Sequence, residues 1–135
     1  PMQWDDSVNA GFTTGKPWIR VNPNHTEINV EREQGNPESV LQFYRKLIRL
    51  RKEREVFVTG AYQPLFEESN EIGGYVRGTG ADAITILCNF TADFQPIPAI
   101  LEANKNVILL CNRSDHRDGI LQPYEAIVFG PETHA

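Results

Sequence analysis

NPESVLQFYRKLIRLRKER, residues 36–54, decides how the chain is built. Asn36 suits a helix cap, Pro37 the first helical position and Glu38 the positive end of the helix dipole, while Arg49, Arg51, Lys52 and Arg54 suit the negative end. The stretch therefore predicts a helix over residues 37–54. At about 100° per residue, Val40, Leu41, Phe43, Tyr44, Leu47, Ile48 and Leu50 cover an arc of about 180°, wider than the stripe of an ordinary surface helix. Such a helix needs neighbours on more than one side.

Upstream of it the period disappears. Residues 1–35 carry both tryptophans, Asn-Pro turns and the polar run 31–35, and the apolar residues Met2, Trp4, Val8, Phe12 and Trp18 match neither a helix nor a strand. The segment reads as a long irregular loop, and a loop that carries tryptophan usually touches something. Downstream of Glu55 the vocabulary turns β-branched and aromatic, with turn residues every eight to twelve positions. Strands are expected near 56–59, 62–66, 72–77, 83–90, 106–112 and 122–129. Ile84, Ile86, Cys88 and Phe90 fall on one strand face, with Thr85 and Asn89 on the other. Residues 78–82 read as a hairpin connection, and Pro96 and Pro98 mark an edge or a loop. The fold class expected is α+β: a long N-terminal loop and one amphipathic helix, then an antiparallel β-sandwich of about six strands. The division falls between residues 1–55 and 56–135.

Composition bounds the function. The chain has 135 residues, 40% hydrophobic and 23% charged, close to globular averages, so a real core is within reach. A net charge of −5 disfavours phosphate backbones and anionic membranes, so neither nucleic acid nor membrane is expected as a partner. Apolar runs such as 107–111 fall far short of the ~20 residues of a membrane span, and no signal-like start is evident, so the chain reads as cytoplasmic. Cys88 and Cys111 sit in strand-like Leu-Cys-Asn tripeptides and read as buried thiols rather than metal ligands.

Several motif-like stretches fail on context. Gly78-Thr79-Gly80-Ala81-Asp82-Ala83 imitates a dinucleotide fingerprint, but a β-rich run follows where a helix is required. Gly15-Lys16 lacks both the first glycine and the hydroxyl of a phosphate loop, having Ala10 and Pro17 there. Asp5 and Asp6, as neighbours in an extended chain, point opposite ways and suit a turn better than paired acid–base work. Asp115-His116-Arg117-Asp118-Gly119 holds metal-capable groups but reads as a solvated turn between strands. His25 and His134 lie in a loop and in the tail, and no nucleophile has an activating context. No catalytic residue, cofactor or metal is expected, and the glycosylation-type triplets at Asn24, Asn89 and Asn112 read as chance.

One resemblance is specific. Pro1-Met2-Gln3-Trp4-Asp5-Asp6-Ser7, then Asn9-Ala10-Gly11-Phe12-Thr13-Thr14-Gly15 and Pro17-Trp18, closely resemble the bacterial α-glucosidases, oligo-1,6-glucosidase-like, of the α-amylase superfamily (glycoside hydrolase family 13). The match continues through Val21-Asn22-Pro23-Asn24 and Glu27-Ile28-Asn29-Val30 into the helix, and Leu121-Gln122-Pro123-Tyr124-Glu125-Ala126 resembles that family's last strand. Val8 is a small departure. The resemblance implies that residues 1–35 are the loop after the eighth strand of a (β/α)₈ barrel, that 37–54 are its eighth helix, and that the rest is the antiparallel C-terminal domain. Loops at that end of a barrel build the active site, which makes Gln3, Trp4, Asp5 and Trp18 the substrate-proximal candidates, the indoles by stacking on sugar rings.

The family's nucleophilic aspartate, glutamic acid and transition-state aspartate would all precede Pro1, so retaining hydrolysis is not expected of the chain by itself. The expected role is that of a C-terminal part of an α-glucosidase acting on short α-linked gluco-oligosaccharides, bracing the barrel. Its expected partners are that barrel or, through the exposed helix face, a second copy. The alternative is an autonomous carbohydrate-binding or protein-interaction β-module.

Overall fold

The chain forms two units, Pro1–Ile48 and Arg49–Ala135, in a computed structural model that describes residues 1–98, Leu101 and 107–132. In the first unit a short helix, α1 (Val30–Gly35), and the opening turns of α2 (Val40–Glu53) follow an irregular segment with a 3₁₀ turn at Pro23–Thr26. Helix α1 corrects the expectation that residues 1–35 are loop throughout. Its sequence, VEREQG, is too short and polar to show an apolar period. Local hydrogen bonds form it instead, because each of its early N–H donors finds an acceptor. Val30 N–H donates to Gln3 O and Glu31 N–H to Trp4 O, both at 3.0 Å, while Arg32 N–H reaches Asn29 Oδ1 at 2.9 Å and Glu33 N–H the Asn29 carbonyl at 3.0 Å.

Helix α2 begins three residues later than its cap signals predict. Asn36 uses its carboxamide oxygen on Glu38 N–H at 3.0 Å, closing a turn that contains Pro37. Ser39 is the cap: its hydroxyl accepts from Gln42 N–H at 3.2 Å and donates to Glu33 O at 2.7 Å. Glu33 also accepts Leu41 N–H at 3.0 Å, placing a carboxylate at the positive end of the α2 dipole. Along the helix, Val40, Tyr44, Leu47 and Ile48 remain exposed.

The second unit is built on an antiparallel sheet. Strands β1 (Tyr62–Leu65), β2 (Ile72–Arg77), β3 (Ile84–Asn89), β5 (Val107–Cys111) and β7 (Ala126–Gly130) lie in the order β1-β2-β3-β7-β5, and β4 (Gln95–Pro96) pairs with β6 (Ile120–Leu121) in a second, two-stranded sheet. The 78–82 connection joins β2 to β3 as expected, pairing Arg77 with Ile84, and Gly78 and Gly80 supply the positive φ angles it needs. Central strand β3 is buried on both faces. Ile84, Ile86 and Cys88 pack with Val128, Leu109, Leu110, Phe57 and the helix residue Leu50, while Leu87 on the other face meets Ile127, Leu121 and Ile97. Simple in–out alternation is therefore corrected: Thr85 and Asn89 are buried as well, and Phe90 is exposed just past the strand end.

Residues 56–59, expected as a strand, are instead the helical turn α3 (Val56–Thr59). The guanidinium groups of Arg51 and Arg77 override the β-propensity of this VFVT stretch. They donate to Phe57 O at 2.9 and 3.1 Å, and Arg77 also to Val58 O at 3.3 Å, satisfying carbonyls that a helix end leaves unpaired. Residue 106, part of an expected strand, and His134 lie outside the described residues.

Candidate functional site

The four candidates of the opening segment are held in different ways. Gln3 is turned inward on the chain: its Nε2 donates to Asn24 Oδ1 at 3.1 Å and to the Ile28 carbonyl. Asp5 closes a turn, its Oδ1 accepting both the Ser7 hydroxyl and the Ser7 N–H, the latter at 2.9 Å. Those donors hold its carboxyl below the usual carboxylate range, which suits a fixed anion and not a proton donor. Trp4 is fixed through its backbone, its N–H donating to Ala10 O at 2.9 Å, and its side chain is half exposed. Trp18 is 90% exposed. Among the described residues no hydrogen bond joins any two of the four. Gly11 keeps φ +65° beside Asp5, where a Cβ would come within 2.5 Å of Asp5 Oδ2, so the turn requires glycine there.

Beside Gln3 opens an apolar groove of about 390 Å³ lined by Met2, Ile28, Val30, Val40, Leu41 and Tyr44. It can bury apolar surface of a partner, and Glu33 is the one carboxylate on its lining.

The second unit holds a polar centre that sequence reading missed. Glu125 is completely buried, and three donors meet its carboxylate: Gln122 N–H at 2.7 Å on Oε2, with His116 Nδ1 at 2.8 Å and the Cys111 thiol at 3.2 Å on Oε1. The side chain of His116 is only 11% exposed, while Asp115, Arg117 and Asp118 around it are exposed as expected of a solvated turn, so the reading of residues 115–119 is corrected at His116 alone. Burial pushes the Cys111 thiol up to about 11, with Glu125 adding to the effect, so the thiol is a donor and not a nucleophile at neutral pH. Burial likewise raises Cys88.

Asparagines frame this centre. Asn112 donates to Tyr124 O at 2.9 Å and accepts from Ala126 N–H at 2.8 Å, tying the end of β5 to the residues on either side of Glu125. Asn89, buried, donates to Asp93 O and Gln122 O and accepts from Thr91 N–H and Oγ1, so its Asn-Phe-Thr triplet is a turn device. The signal for the centre was weak in one dimension: its three members lie at 111, 116 and 125, and only the β5–β7 pairing, Cys111 opposite Ile127, closes the distance.

A sequence profile described as "Alpha amylase, catalytic domain" matches residues 1–60. The oligo-1,6-glucosidase of Bacillus cereus is 43% identical over 96% of this chain and 24% of its own length. That of Halalkalibacterium halodurans is 39% identical over the same shares. The chain is similar to the α-amylase family. The sequence similarity is to bacterial oligo-1,6-glucosidases, and solved structures share the fold. A trehalulose synthase mutant in complex with Tris superposes with a TM-score of 0.83 at 37% identity, over 96% of this chain and 24% of that one. The trehalose-6-phosphate hydrolase of Bacillus licheniformis gives 0.85 at 34% identity in one structure and 0.84 at 32% in a second, over 96% of this chain and 25% of that one. The chain thus spans about a quarter of the length of the relatives it matches.

Proposed function

We propose that the chain is the C-terminal part of a retaining α-glucosidase acting on short α-linked gluco-oligosaccharides, and that it braces a (β/α)₈ barrel without supplying the catalytic carboxylates. In this reading residues 1–35 follow the eighth barrel strand, α2 is the eighth barrel helix, and the two sheets form a β-sandwich domain, the division falling at residue 55. The observation that carries it is the apolar surface left open on the first unit: the groove beside Gln3 and the exposed side chains of Val40, Tyr44, Leu47 and Ile48. Those four side chains are 37 to 66% exposed, so covering them is worth roughly 3 to 6 kcal/mol, comparable to the lower end of a domain's net stability. The alignment to only a quarter of each glucosidase supports the remainder of such an enzyme as the cover. Trp4 and Trp18 then present aromatic faces near the sugar, while Gln3 and Asp5 hold the loop in shape. Cytoplasmic location goes with this reading.

The test is a chimera in which the chain replaces the matching C-terminal quarter of the Bacillus cereus enzyme. Cleavage of isomaltose by the chimera, with none by the chain alone or by the shortened enzyme, is the expected result. Isomaltose cleavage by the chain alone, or a soluble shortened enzyme with full activity, would overturn the proposal. The exposure of Trp18 favours a second reading, a sugar-binding module. That reading requires millimolar maltose or isomaltose to quench the chain's tryptophan fluorescence, and Trp18→Ala to abolish the quench.

A further inference from the structure

Among the described residues, one grouping of three metal-capable side chains occurs, Cys111, His116 and Glu125, and their ligand atoms all lie within 4.8 Å of one another. We propose that these three residues form a binding site for a single Zn²⁺ ion that ties the ends of β5 and β7 to the turn between them. The inference is independent of the role in a glucosidase.

The donor set is thiolate sulfur, imidazole nitrogen and carboxylate oxygen, the mixture that a borderline-soft divalent ion such as Zn²⁺ accepts. Zinc bonds of about 2.0 to 2.3 Å in a tetrahedral arrangement place donor atoms about 3.3 to 3.6 Å apart. The His116–Glu125 edge is 2.8 Å and the Cys111–Glu125 edge 3.2 Å, so the ion enters after the first opens by about 0.5 Å and the second by about 0.3 Å, with Cys111 and His116, within 4.8 Å of each other, adjusting to the same spacing. Binding breaks the Cys111 S–H bond, forms a sulfur–zinc bond and releases the proton to solvent. His116 donates from Nδ1 to Glu125 before the ion binds, and ligates through that nitrogen once its proton has been exchanged through solvent to Nε2. A water molecule completes the fourth position.

Second-layer contacts are already in place. Gln122 N–H fixes Glu125 Oε2 at 2.7 Å, and Arg113 N–H points at Cys111 Sγ at 3.4 Å, the backbone contact that steadies a metal-bound thiolate. The Asn112 clamp on Tyr124 O and Ala126 N–H holds the two ligand-bearing segments at a fixed separation. The expectation of a metal-free chain rests on linear spacing, and linear spacing does not reveal that Glu125 folds back between the other two.

The experiment strips the full chain with a chelator and titrates it with Zn²⁺ against a chromophoric competitor. One ion per chain is expected, with affinity falling at least tenfold in Cys111→Ser and in His116→Gln and unchanged in Cys88→Ser. Co²⁺ in place of Zn²⁺ is expected to give thiolate-to-metal charge-transfer absorption in the unsubstituted chain. That measurement needs no variant and stands even if a substitution unfolds the site. Zn²⁺ affinity equal in the unsubstituted chain and in folded Cys111→Ser, or a Co²⁺ complex with no thiolate band, would overturn the proposal.

Discussion

In residues 49–135, Ile84, Leu87, Leu121 and Ile127 are sealed from solvent by both faces of a sheet, whereas in residues 1–48 Ala10 is the one buried apolar residue and the rest is held by caps and turns. Asn29, Ser39, Glu33 and Asp5 do in the first unit, by directed hydrogen bonds, what apolar burial does in the second. Directed bonds set the shape of a backbone but contribute only about 1 kcal/mol each net, while a buried leucine or isoleucine contributes roughly 2 to 3. The difference teaches that apolar burial holds residues 49–135 while directed bonds hold residues 1–48 and leave their apolar side chains open.

The largest expected effect sharpens that contrast. Leu87→Ala, at 1% exposure and packed on Ile97, Leu121 and Ile127, should lower stability to urea by about 2 to 5 kcal/mol, because the cavity it leaves cannot collapse between paired strands. Tyr44→Ser, on the exposed arc of α2, should change the stability of the same chain by no more than about 0.5 kcal/mol. A loss at Tyr44 comparable to that at Leu87 would mean that the arc is already covered and would break the comparison.

The same contrast explains what was legible in the sequence. Strands 72–77 and 83–90 were visible because a buried core selects the apolar and β-branched residues that build it, and they are observed as Ile72–Arg77 and Ile84–Asn89. Helix α2 was visible from its apolar arc, though its start was not. Asn36 and Pro37 are as good a turn as a cap, and the choice fell to Glu33, whose side chain reaches Leu41 N–H from eight residues away. Helix α1 left no periodic trace because hydrogen bonds from Gln3, Trp4 and Asn29 make it. At 56–59 the β-branched letters pointed to a strand, and two arginines outside the stretch, Arg51 and Arg77, decided otherwise. The Glu125 centre was hidden for a related reason. Burial of a carboxylate is never written in the residue itself, only in the donors that the fold brings to it. Of the opening-loop candidates, the sequence singled out the residues, and the structure separates the two exposed indoles from Gln3 and Asp5, which brace the loop.

A middle-sized effect is expected at the cap. Ser39→Ala removes the acceptor for Gln42 N–H and the donor to Glu33 O, and should cost about 1 kcal/mol. Hydrogen exchange is the appropriate measurement, since faster exchange should be confined to the first turn of α2, at Leu41 and Gln42. Acceleration of the β3 amides to the same degree would show that cap and sheet open together, against the division into a polar-bonded and an apolar-packed region.

The smallest effect concerns Asp5, and it tests whether directed bonds hold the first unit in solution. The Ser7 hydroxyl, and then the Ser7 N–H, lower the Asp5 carboxyl below its usual range, with partial desolvation opposing and His25 adding a weak attraction. A folded-state value below the unfolded one means that the folded chain binds fewer protons between the two. The stabilisation is therefore present above the ordinary carboxylate value and disappears as pH falls through the depressed one. A carbon-13 titration of the Asp5 carboxyl should give a midpoint below that of aspartate in a short reference peptide, and Ser7→Ala should return it toward that reference. Because the main cause is a contact hydrogen bond and not a distant charge, the shift should survive high salt, where an ion-pair origin would be screened away. A midpoint equal to the reference would mean that the turn does not form. A shift that vanishes in salt would assign it to His25, and the first unit would then be held at this point by charge instead of geometry.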